Sequence, residues 1–237
     1  MKPLRWITGL LLLGQTAAWA GNVVAKTPTN PPLPDVTFVA YDTETTGFSP
    51  DKDRLVEIGA VKFRNGKILA RKQWLVKPGM RIPWRAIRVH GITDAMVADQ
   101  PGAKEVIPKF TKFLGDAVVL AHNASFDVHF VSAEAARNGV PQPKNRVFDT
   151  LSLSRNLFPE IPSHRLETLV DLMKIPKQTR FHRALLDADY TAQFFMRVIG
   201  NPKYGLRTLK DLEKKAGSAH LFTPPVTKKH ATKTEET

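Results

Sequence analysis

Two acidic residues at the end of an apolar stretch form the first pattern that could do chemistry. Asp42 and Glu44 follow the apolar, β-branched run 36–41, within the segment Asp-Thr-Glu-Thr-Thr-Gly. Side chains two residues apart on a strand point to the same face, so both carboxylates would stand side by side. Their repulsion and desolvation favour a divalent cation, because hard cations prefer oxygen ligands. Taken alone, the segment also fits an Asx-rich turn after a strand.

Two further segments place acidic groups beside the ends of predicted elements. Asp127 follows the short apolar run 117–120 and falls in the first turn of a predicted helix, where the helix dipole favours an anion. Asp187 lies in the last long predicted helix, and His182 lies five residues earlier, at or before its start. Histidine is the side chain best suited to take a proton from water near neutral pH. Singly, Asp127 could merely decorate a helix terminus and His182 could be structural.

Together these residues are sufficient for phosphodiester cleavage. That reaction needs two metal ions roughly 3.5–4 Å apart, which stabilise the attacking and leaving oxygens, and a base that activates water. The formal net charge of +13 favours an acidic partner such as nucleic acid, although a basic surface or tail would give the same balance. The chain has no cysteine, which excludes disulfides and thiolate metal sites.

The elements that must position these residues alternate between strand and helix patterns. The strand patterns lie at 36–41, 55–63, 68–76 and 117–120. The helical patterns lie at 126–137, 166–173, 183–199 and 206–212. Asn65-Gly66 suits a type I′ hairpin turn, and Pro108 is expected to end or kink a helix around Phe110 at its start. A hairpin followed by alternating helices and strands predicts an α/β domain with a mixed sheet.

The N-terminus has the three-part pattern of a secretory signal peptide. Residues 1–20 comprise a positive start, an apolar stretch with four consecutive leucines, and Ala18-Trp19-Ala20 before the expected cleavage point. The pattern predicts an exported protein, periplasmic or secreted, with no stable membrane span after cleavage. The apolar stretch is short for a span of ~20 residues, and a membrane anchor through residues 6–20 is the alternative.

The remaining chain divides by composition into one domain with flanking segments. Residues 21–34 contain four prolines and few bulky apolar groups, which predicts a linker. Residues 35–200 carry the main periodic apolar patterns and form the predicted domain. A short basic helical extension is predicted at 201–217. Residues 218–237 are rich in Thr, Lys and His, which predicts a disordered tail.

The three acidic segments resemble the exonuclease motifs of the DEDDh, or DnaQ-like, superfamily, which includes the proofreading subunit of bacterial replicative DNA polymerase. The resemblance runs over about 36–199. The segments that look like the family's connecting segments are Glu57-Ile58-Gly59-Ala60-Val61, Val89-His90-Gly91-Ile92-Thr93 and Asp149-Thr150-Leu151. The five-residue step from His182 to Asp187 matches the subclass whose base is histidine.

The resemblance implies an exonuclease domain at 35–200 with a ribonuclease H-like fold, a mixed β-sheet flanked by helices. The residues that it assigns to two Mg²⁺ or Mn²⁺ ions are Asp42, Glu44, Asp127 and Asp187. It makes His182 the general base and Thr43 and Thr45 candidate contacts for the terminal nucleotide. His90 and His122 are weaker candidates, each as easily structural as near the substrate.

The implied reaction is metal-dependent 3′–5′ hydrolysis of nucleic acid with a free 3′ end, releasing nucleoside 5′-monophosphates. Single-stranded DNA is the expected substrate, because Asp-Thr-Glu-Thr-Thr-Gly looks more like the DNA-directed members. An exoribonuclease on the same scaffold is one alternative, since few residues decide sugar preference. A non-catalytic nucleic-acid-binding module and a phosphodiesterase acting on small nucleotides are the others. Protein partners are not indicated by the sequence.

Overall fold

A six-stranded mixed sheet forms the centre of the structure, a computed structural model that describes residues 30–177 and 182–223. The strands are β1 (Phe38–Thr45), β2 (Leu55–Arg64), β3 (Lys67–Leu75), β4 (Val118–Ala121), β5 (Arg146–Asp149) and β6 (His220–Leu221). Their order is β3-β2-β1-β4-β5-β6. β1, β4 and β5 run parallel to one another, and the pairs β1–β2, β2–β3 and β5–β6 are antiparallel.

Helices cover both faces of this sheet. They are α1 (Trp84–His90), α2 (Asp94–Val97), α3 (Ala103–Leu114), α4 (Ala124–Arg137), α5 (Thr150–Leu157), α6 (Leu166–Leu172), α7 (Ala184–Ile199) and α8 (Leu209–Ala216). α5, α6, α7 and α8 supply apolar side chains to one core, and α3 and α4 supply the other. The predicted α/β class with a mixed sheet flanked by helices is therefore confirmed.

Strand β1 contributes to both cores because alternate side chains point to opposite faces. Phe38 and Ala40 pack in the core with α7, and Val39 and Tyr41 pack in the core with α3 and α4. A strand buried on both faces has a continuous apolar sequence, which is why 36–41 lacks alternation. Continuing the alternation places Asp42 on the α7 side.

Gly59 on β2 lets helix α7 lie directly against the sheet. It pairs with Asp42 across the β1–β2 ladder. A Cβ at this position would overlap the backbone of Ala184 and Leu185 at the start of α7. Only glycine allows so close an approach between a strand and a helix backbone. The start of α7 is therefore held next to the end of β1.

The predicted hairpin is confirmed and the predicted effect of one proline is wrong. Asn65 and Gly66 both have positive φ, 49° and 70°, as a type I′ turn requires. Pro108, however, lies inside α3, which begins five residues earlier at Ala103. The proline removes one backbone hydrogen bond. Burial of a full apolar face, including Phe110, offsets this loss, since both Phe110 and Ile107 are fully buried.

The structure corrects two predicted boundaries. Leu33, within the expected linker, begins a 3₁₀ turn and is 1% exposed, so residues 33–35 belong to the fold. At the other end, β6 pairs with β5, and Phe222 packs beside Tyr41 at 6.1 Å between ring centroids. Residues 218–223 are therefore not part of a disordered tail. Edge pairing and one buried aromatic side chain were not visible in the composition.

Helix α8 corresponds to the predicted extension, but it packs on the main core rather than standing apart. Leu212 and Ala216 on its inner face are buried. The predicted signal peptide, residues 1–20, lies outside the described residues, as does 224–237 of the predicted tail. Within 30–177 and 182–223, no helix combines the length and apolar character that crossing a membrane requires.

Candidate active site

The parallel strands β1, β4 and β5 end at one edge of the sheet, where α/β proteins commonly bind ligands. The turns after β4 and β5 are tied together by Asp149. Its Oδ1 accepts hydrogen bonds from the backbone N–H groups of Asn123 and Leu151, both at 2.9 Å. Asn123 has φ 70° and leads directly into α4. This tie fixes the start of α4 beside the end of β1.

Asp127 lies in the first turn of α4 and is 2% exposed. The buried Thr43 hydroxyl donates a hydrogen bond of 2.7 Å to Asp127 Oδ1. Thr43 points to the α4 side of β1, opposite to its neighbours Asp42 and Glu44. β1 thus carries two carboxylates on one face. From its other face, the Thr43 hydroxyl holds a third carboxylate, that of Asp127.

Asp187 lies in the first turn of α7, and its carboxylate closes the loop before the helix. Asp187 Oδ2 accepts hydrogen bonds from the backbone N–H groups of His182 at 2.9 Å and Arg183 at 3.2 Å. His182 has φ 64°, which turns the chain into the helix. Potential ligand atoms of Glu44, His182 and Asp187 lie within 4.8 Å of one another.

One cavity of about 710 Å³ collects these groups. The predicted catalytic residues that line it are Asp42, Glu44, Asp127, His182 and Asp187. The other polar or aromatic lining residues are Thr43, His122, Asn123, Phe126, Arg155, His164, Arg165 and Glu167. The structure therefore brings together all five predicted catalytic residues, from three separate segments of the chain.

Burial and mutual repulsion raise the pKa values of the clustered carboxyls. Burial, and then the charges of Asp127, Asp187 and Glu44, hold the pKa of Asp42 well above its usual range. Burial and the Asp187 charge raise the pKa of Glu44 to about 8. Burial raises the pKa of Asp127 to about 7, against the hydrogen bond from Thr43. Burial likewise raises the pKa of Asp187 to about 6, although the His182 charge opposes the shift.

This donor set fits a hard divalent cation. Several carboxylates confined in one partly buried cavity cannot all ionise without a compensating positive charge. Arg183 lowers the pKa of Glu44, but its effect ranks below those of the surrounding acidic groups. Asp42, Glu44, Asp127 and Asp187 would hold such an ion through oxygen ligands. When bound, a divalent cation supplies Lewis acidity and a positive charge beside a phosphate.

The weaker sequence candidates occupy different positions. Thr43 lines the cavity, but its hydroxyl is engaged with Asp127. Thr45 is 8% exposed and its hydroxyl donates to the Gly47 carbonyl at 2.5 Å, outside the cavity lining. His90 is 2% exposed and Nδ1 accepts from Ile92 N–H at 3.0 Å. Neither Thr45 nor His90 therefore faces the cavity.

His122 lines the cavity with both ring nitrogens engaged. Nε2 lies 2.9 Å from the His164 carbonyl oxygen, and Nδ1 lies 3.0 Å from the Thr150 hydroxyl. Because a carbonyl only accepts, Nε2 carries the hydrogen of the neutral ring. Burial lowers the pKa of His122, which favours this neutral form. The ring bridges the turns around the cavity.

Sequence reasoning missed the supporting role of one residue beneath the cavity. Glu57, fully buried on β2, accepts from the Arg183 guanidinium at 2.8 Å, from Ala184 N–H at 2.9 Å and from the Gln73 amide. These contacts fasten the start of α7 to the sheet. A glutamate inside the apolar run 55–63 is the signal that could have identified it, since unpaired buried carboxylates are rare.

Arg155 and Arg165 were also missed, and the sequence holds no signal for them. They reach the cavity from α5 and from the residue before α6. Their position depends on the path of the connection between these helices, which local patterns do not specify. Both place a cation at the wall of a cavity otherwise rich in carboxylates.

Comparison with known proteins shows that the chain matches an exonuclease family. The family model described as Exonuclease, RNase_T, matches residues 39–195. The PolC-type DNA polymerase III of Halalkalibacterium halodurans is 38% identical over 179 residues, 76% of this chain and 12% of that protein. That of Staphylococcus aureus is 36% identical over 203 residues, 85% of this chain and 14% of that protein. The chain therefore spans only a small part of these relatives.

Solved structures show the same architecture. Exonuclease X in complex with 5′ overhanging duplex DNA superposes with a TM-score of 0.61 at 31% identity, over 76% of this chain and 99% of that one. E. coli exonuclease I in complex with a dT13 oligonucleotide gives a TM-score of 0.63 at 21% identity, over 71% of this chain and 42% of that one, and supports the fold alone. The predicted ribonuclease H-like fold and exonuclease class are thus confirmed, and the chain belongs to the DnaQ-like, DEDDh superfamily of 3′–5′ exonucleases.

Proposed function

We propose that the protein hydrolyses single-stranded DNA from its 3′ end to nucleoside 5′-monophosphates, with two Mg²⁺ or Mn²⁺ ions and His182 as general base. The observation that carries this proposal is the convergence of four carboxylates and His182 in one cavity of about 710 Å³. The two-ion arrangement is the one that stabilises both the attacking and the leaving oxygen of a phosphodiester.

The position of His182 supports its proposed role as base. Its backbone N–H is fixed by Asp187, while its exposed ring lines the cavity and makes no side-chain hydrogen bond among the described residues. The ring is therefore available to a water molecule near Glu44 and Asp187. We expect His182→Ala to lower kcat by roughly 10²–10⁴-fold. Steady-state kinetics showing this loss of kcat, with unchanged metal binding, would support His182 as the base. An undiminished kcat would exclude His182 from that role.

DNA is the proposed substrate because the relatives named above are DNA polymerases or were solved in complex with DNA. The PolC-type relatives are DNA polymerases, and exonuclease X was captured on duplex DNA with a 5′ overhang. The cavity itself has room for a terminal nucleotide beside Phe126 and the cations Arg155 and Arg165. An aromatic face and positive charges are what a base and its phosphate require.

The experiment that tests the function uses matched 5′-labelled single-stranded DNA and RNA. The wild-type chain and Asp187→Ala are each incubated with Mg²⁺, Mn²⁺ or EDTA. We expect a metal-dependent ladder that shortens from the 3′ end, faster on DNA and absent with the variant. Faster RNA cleavage would identify an exoribonuclease. If neither polymer is cleaved, the proposed function is wrong, and the protein is a nucleic-acid-binding module or a phosphodiesterase that acts on small nucleotides.

We also propose that residues 1–20 direct export to the periplasm or the medium and are then removed. The support is the three-part sequence pattern ending at Ala18-Trp19-Ala20. Expression with a C-terminal tag, followed by cell fractionation and N-terminal sequencing, tests it. A soluble exported protein beginning at Gly21 is expected. An intact N-terminus in the membrane fraction would instead indicate an anchor through residues 6–20.

A further inference from the structure

Helix α1 presents an exposed tryptophan between unpaired arginines. Trp84 is 60% exposed, and the guanidinium carbons of Arg88 and Arg85 lie 5.3 and 5.8 Å from its ring centroid. With Val89, these residues line a shallow recess of about 360 Å³, separate from the cavity described above. The protein's other described tryptophan, Trp74, is packed edge-on against two phenylalanines. Trp84 and Val89, which is 51% exposed, thus form an apolar surface on α1 that packs in no core cluster of the described residues.

All charged side chains of the segment 81–89 are positive. Arg81, Arg85 and Arg88 are exposed, and none pairs with a carboxylate among residues 30–177 and 182–223. The next acidic residue along the chain, Asp94, accepts a hydrogen bond from Ile82 N–H at 2.9 Å. An aromatic face among unpaired guanidinium groups complements a chain of bases and phosphates.

Helix α1 is anchored beside the active site. The sulfur of Met80, just before the helix, lies 3.8 Å from the Thr46 hydroxyl, immediately after β1. The inner face of α1 packs on β2, where Ala86 and Ile87 lie against a buried cluster that includes Val56. The segment therefore lies against β2 and against the residue that follows the strand bearing Asp42 and Glu44.

We propose that Trp84, Arg85 and Arg88 form a stacking platform for the nucleotides upstream of the scissile 3′ end. The proposal rests on the function proposed above. The recess lined by Trp84, Arg85 and Arg88 lies outside the catalytic cavity, in a segment whose Met80 contacts Thr46 just after β1. The platform would therefore bind oligonucleotides and leave the smallest substrates unaffected.

Binding is tested first, in EDTA, where no cleavage occurs. The full chain is titrated into a fluorescein-labelled oligothymidylate of about 15 nucleotides, and anisotropy is followed. We expect Trp84→Ala to weaken binding by about tenfold and Trp84→Phe to keep most of it, since one stacked base carries that effect. Arg85→Ala/Arg88→Ala should also reduce the salt slope by about 1.4. Lys104→Ala/Lys112→Ala removes two exposed charges from α3 and should leave the slope largely unchanged.

Cleavage then separates the platform from the catalytic cavity. We expect Trp84→Ala to raise KM for the oligonucleotide about tenfold. Its rate on the p-nitrophenyl ester of thymidine 5′-monophosphate, which fills only the cavity, should stay near that of the wild type. Equal loss on both substrates, or wild-type oligonucleotide binding by Trp84→Ala, would overturn the platform. If the wild type cleaves neither substrate, the proposed function fails, while the binding titration still decides the platform.

An anionic membrane is the other surface that a Trp-Arg patch could contact. Cosedimentation with vesicles of phosphatidylglycerol and phosphatidylcholine distinguishes the two partners. We expect Trp84→Ala to leave vesicle binding at the wild-type level. Loss of vesicle binding with unchanged oligonucleotide binding would assign the patch to lipid and overturn the proposal.

Discussion

Glu44 and Glu57 face each other on adjacent strands, yet their surroundings are opposite. They are direct partners in the β1–β2 ladder, and both are buried, at 9% and 0% exposure. Glu57 is satisfied by Arg183, Ala184 N–H and Gln73. Around Glu44, the charges of Asp187, Glu57 and Asp127 outweigh that of Arg183. The comparison separates a carboxylate that holds the fold together from one that is left available for a ligand.

We expect the largest effect from removing one charge of the carboxylate cluster that includes Glu44. Asp42→Asn should lower exonuclease activity by roughly 10³-fold or more, because an amide replaces an anionic oxygen ligand at the reacting phosphate. The measurement is kcat/KM on a 5′-labelled oligonucleotide. Asp189→Asn is the matched control, since Asp189 is also buried near the active site but pairs with Arg71. Near wild-type activity in Asp42→Asn would contradict the site.

Amidation of the two facing glutamates should change stability in opposite directions. Glu57→Gln should lower the free energy of unfolding by about 2 kcal/mol, less than for a fully buried pair because the Arg183 side chain is 29% exposed. In EDTA near pH 9, Glu44→Gln should raise it by about 1 kcal/mol by removing repulsion, while abolishing cleavage. Denaturant titrations of both variants give these values. Destabilisation by both substitutions would erase the distinction between the two sites.

The pH dependence of stability should show the same repulsion in the wild type. Burial raises the pKa values of Asp187, Asp127 and Glu44 to about 6, 7 and 8, so the folded state binds more protons than the unfolded chain between about pH 4 and 8. The free energy of unfolding in EDTA should therefore fall as pH rises through this window. We expect Tm to drop on the order of 5 °C and Mn²⁺ to restore it.

A thermal melt at each pH, with EDTA or with Mn²⁺, provides that measurement. Glu44→Gln is the control, because its curve should be flatter above pH 6. A Tm in EDTA that rises steadily from pH 5 to pH 8 would contradict the assignment of raised pKa values to these carboxyls.

The smallest effect is expected at the clamp on Asp127. Thr43→Val keeps the shape of the side chain but removes its hydrogen bond to Asp127 Oδ1. We expect kcat/KM to fall by roughly tenfold, the scale of one hydrogen bond to a charged group. Thr43→Ser restores the hydroxyl and should restore most of the rate. If valine and serine behave alike, the hydroxyl does not position Asp127.

Local sequence patterns were enough to predict the acidic residues that converge in the cavity, but not the residues that support them. Asp42, Glu44 and Asp127 each stand at the end of an apolar strand or the start of a helix, positions that periodicity and dipole arguments identify. The role of Glu57 depends on Arg183, which lies 126 residues away along the chain. The apolar run 55–63 marks Glu57 as unusual, but no local pattern identifies its partner at such a separation. Only the folded structure shows it.

The boundary errors have the same origin. Composition predicts flanking segments at 21–34 and 218–237, but it does not show whether one side chain within them is buried. Leu33 and Phe222 each insert into a core built by residues far away in sequence. The predicted break at Pro108 failed for a related reason, since tertiary burial of α3 outweighed a local preference.

The close contact at Gly59 limits which residues can occupy position 59 if the site is to keep its geometry. The spacing between the carboxylates on β1 and Asp187 on α7 is set by the absence of a Cβ atom on a third element, β2. Any side chain at position 59 would push Asp187 and His182 outward together while leaving every ligand residue in the sequence. A gene library randomised at this codon and selected for activity should therefore return glycine alone. Such a library would reveal a determinant of catalysis that carries no functional group.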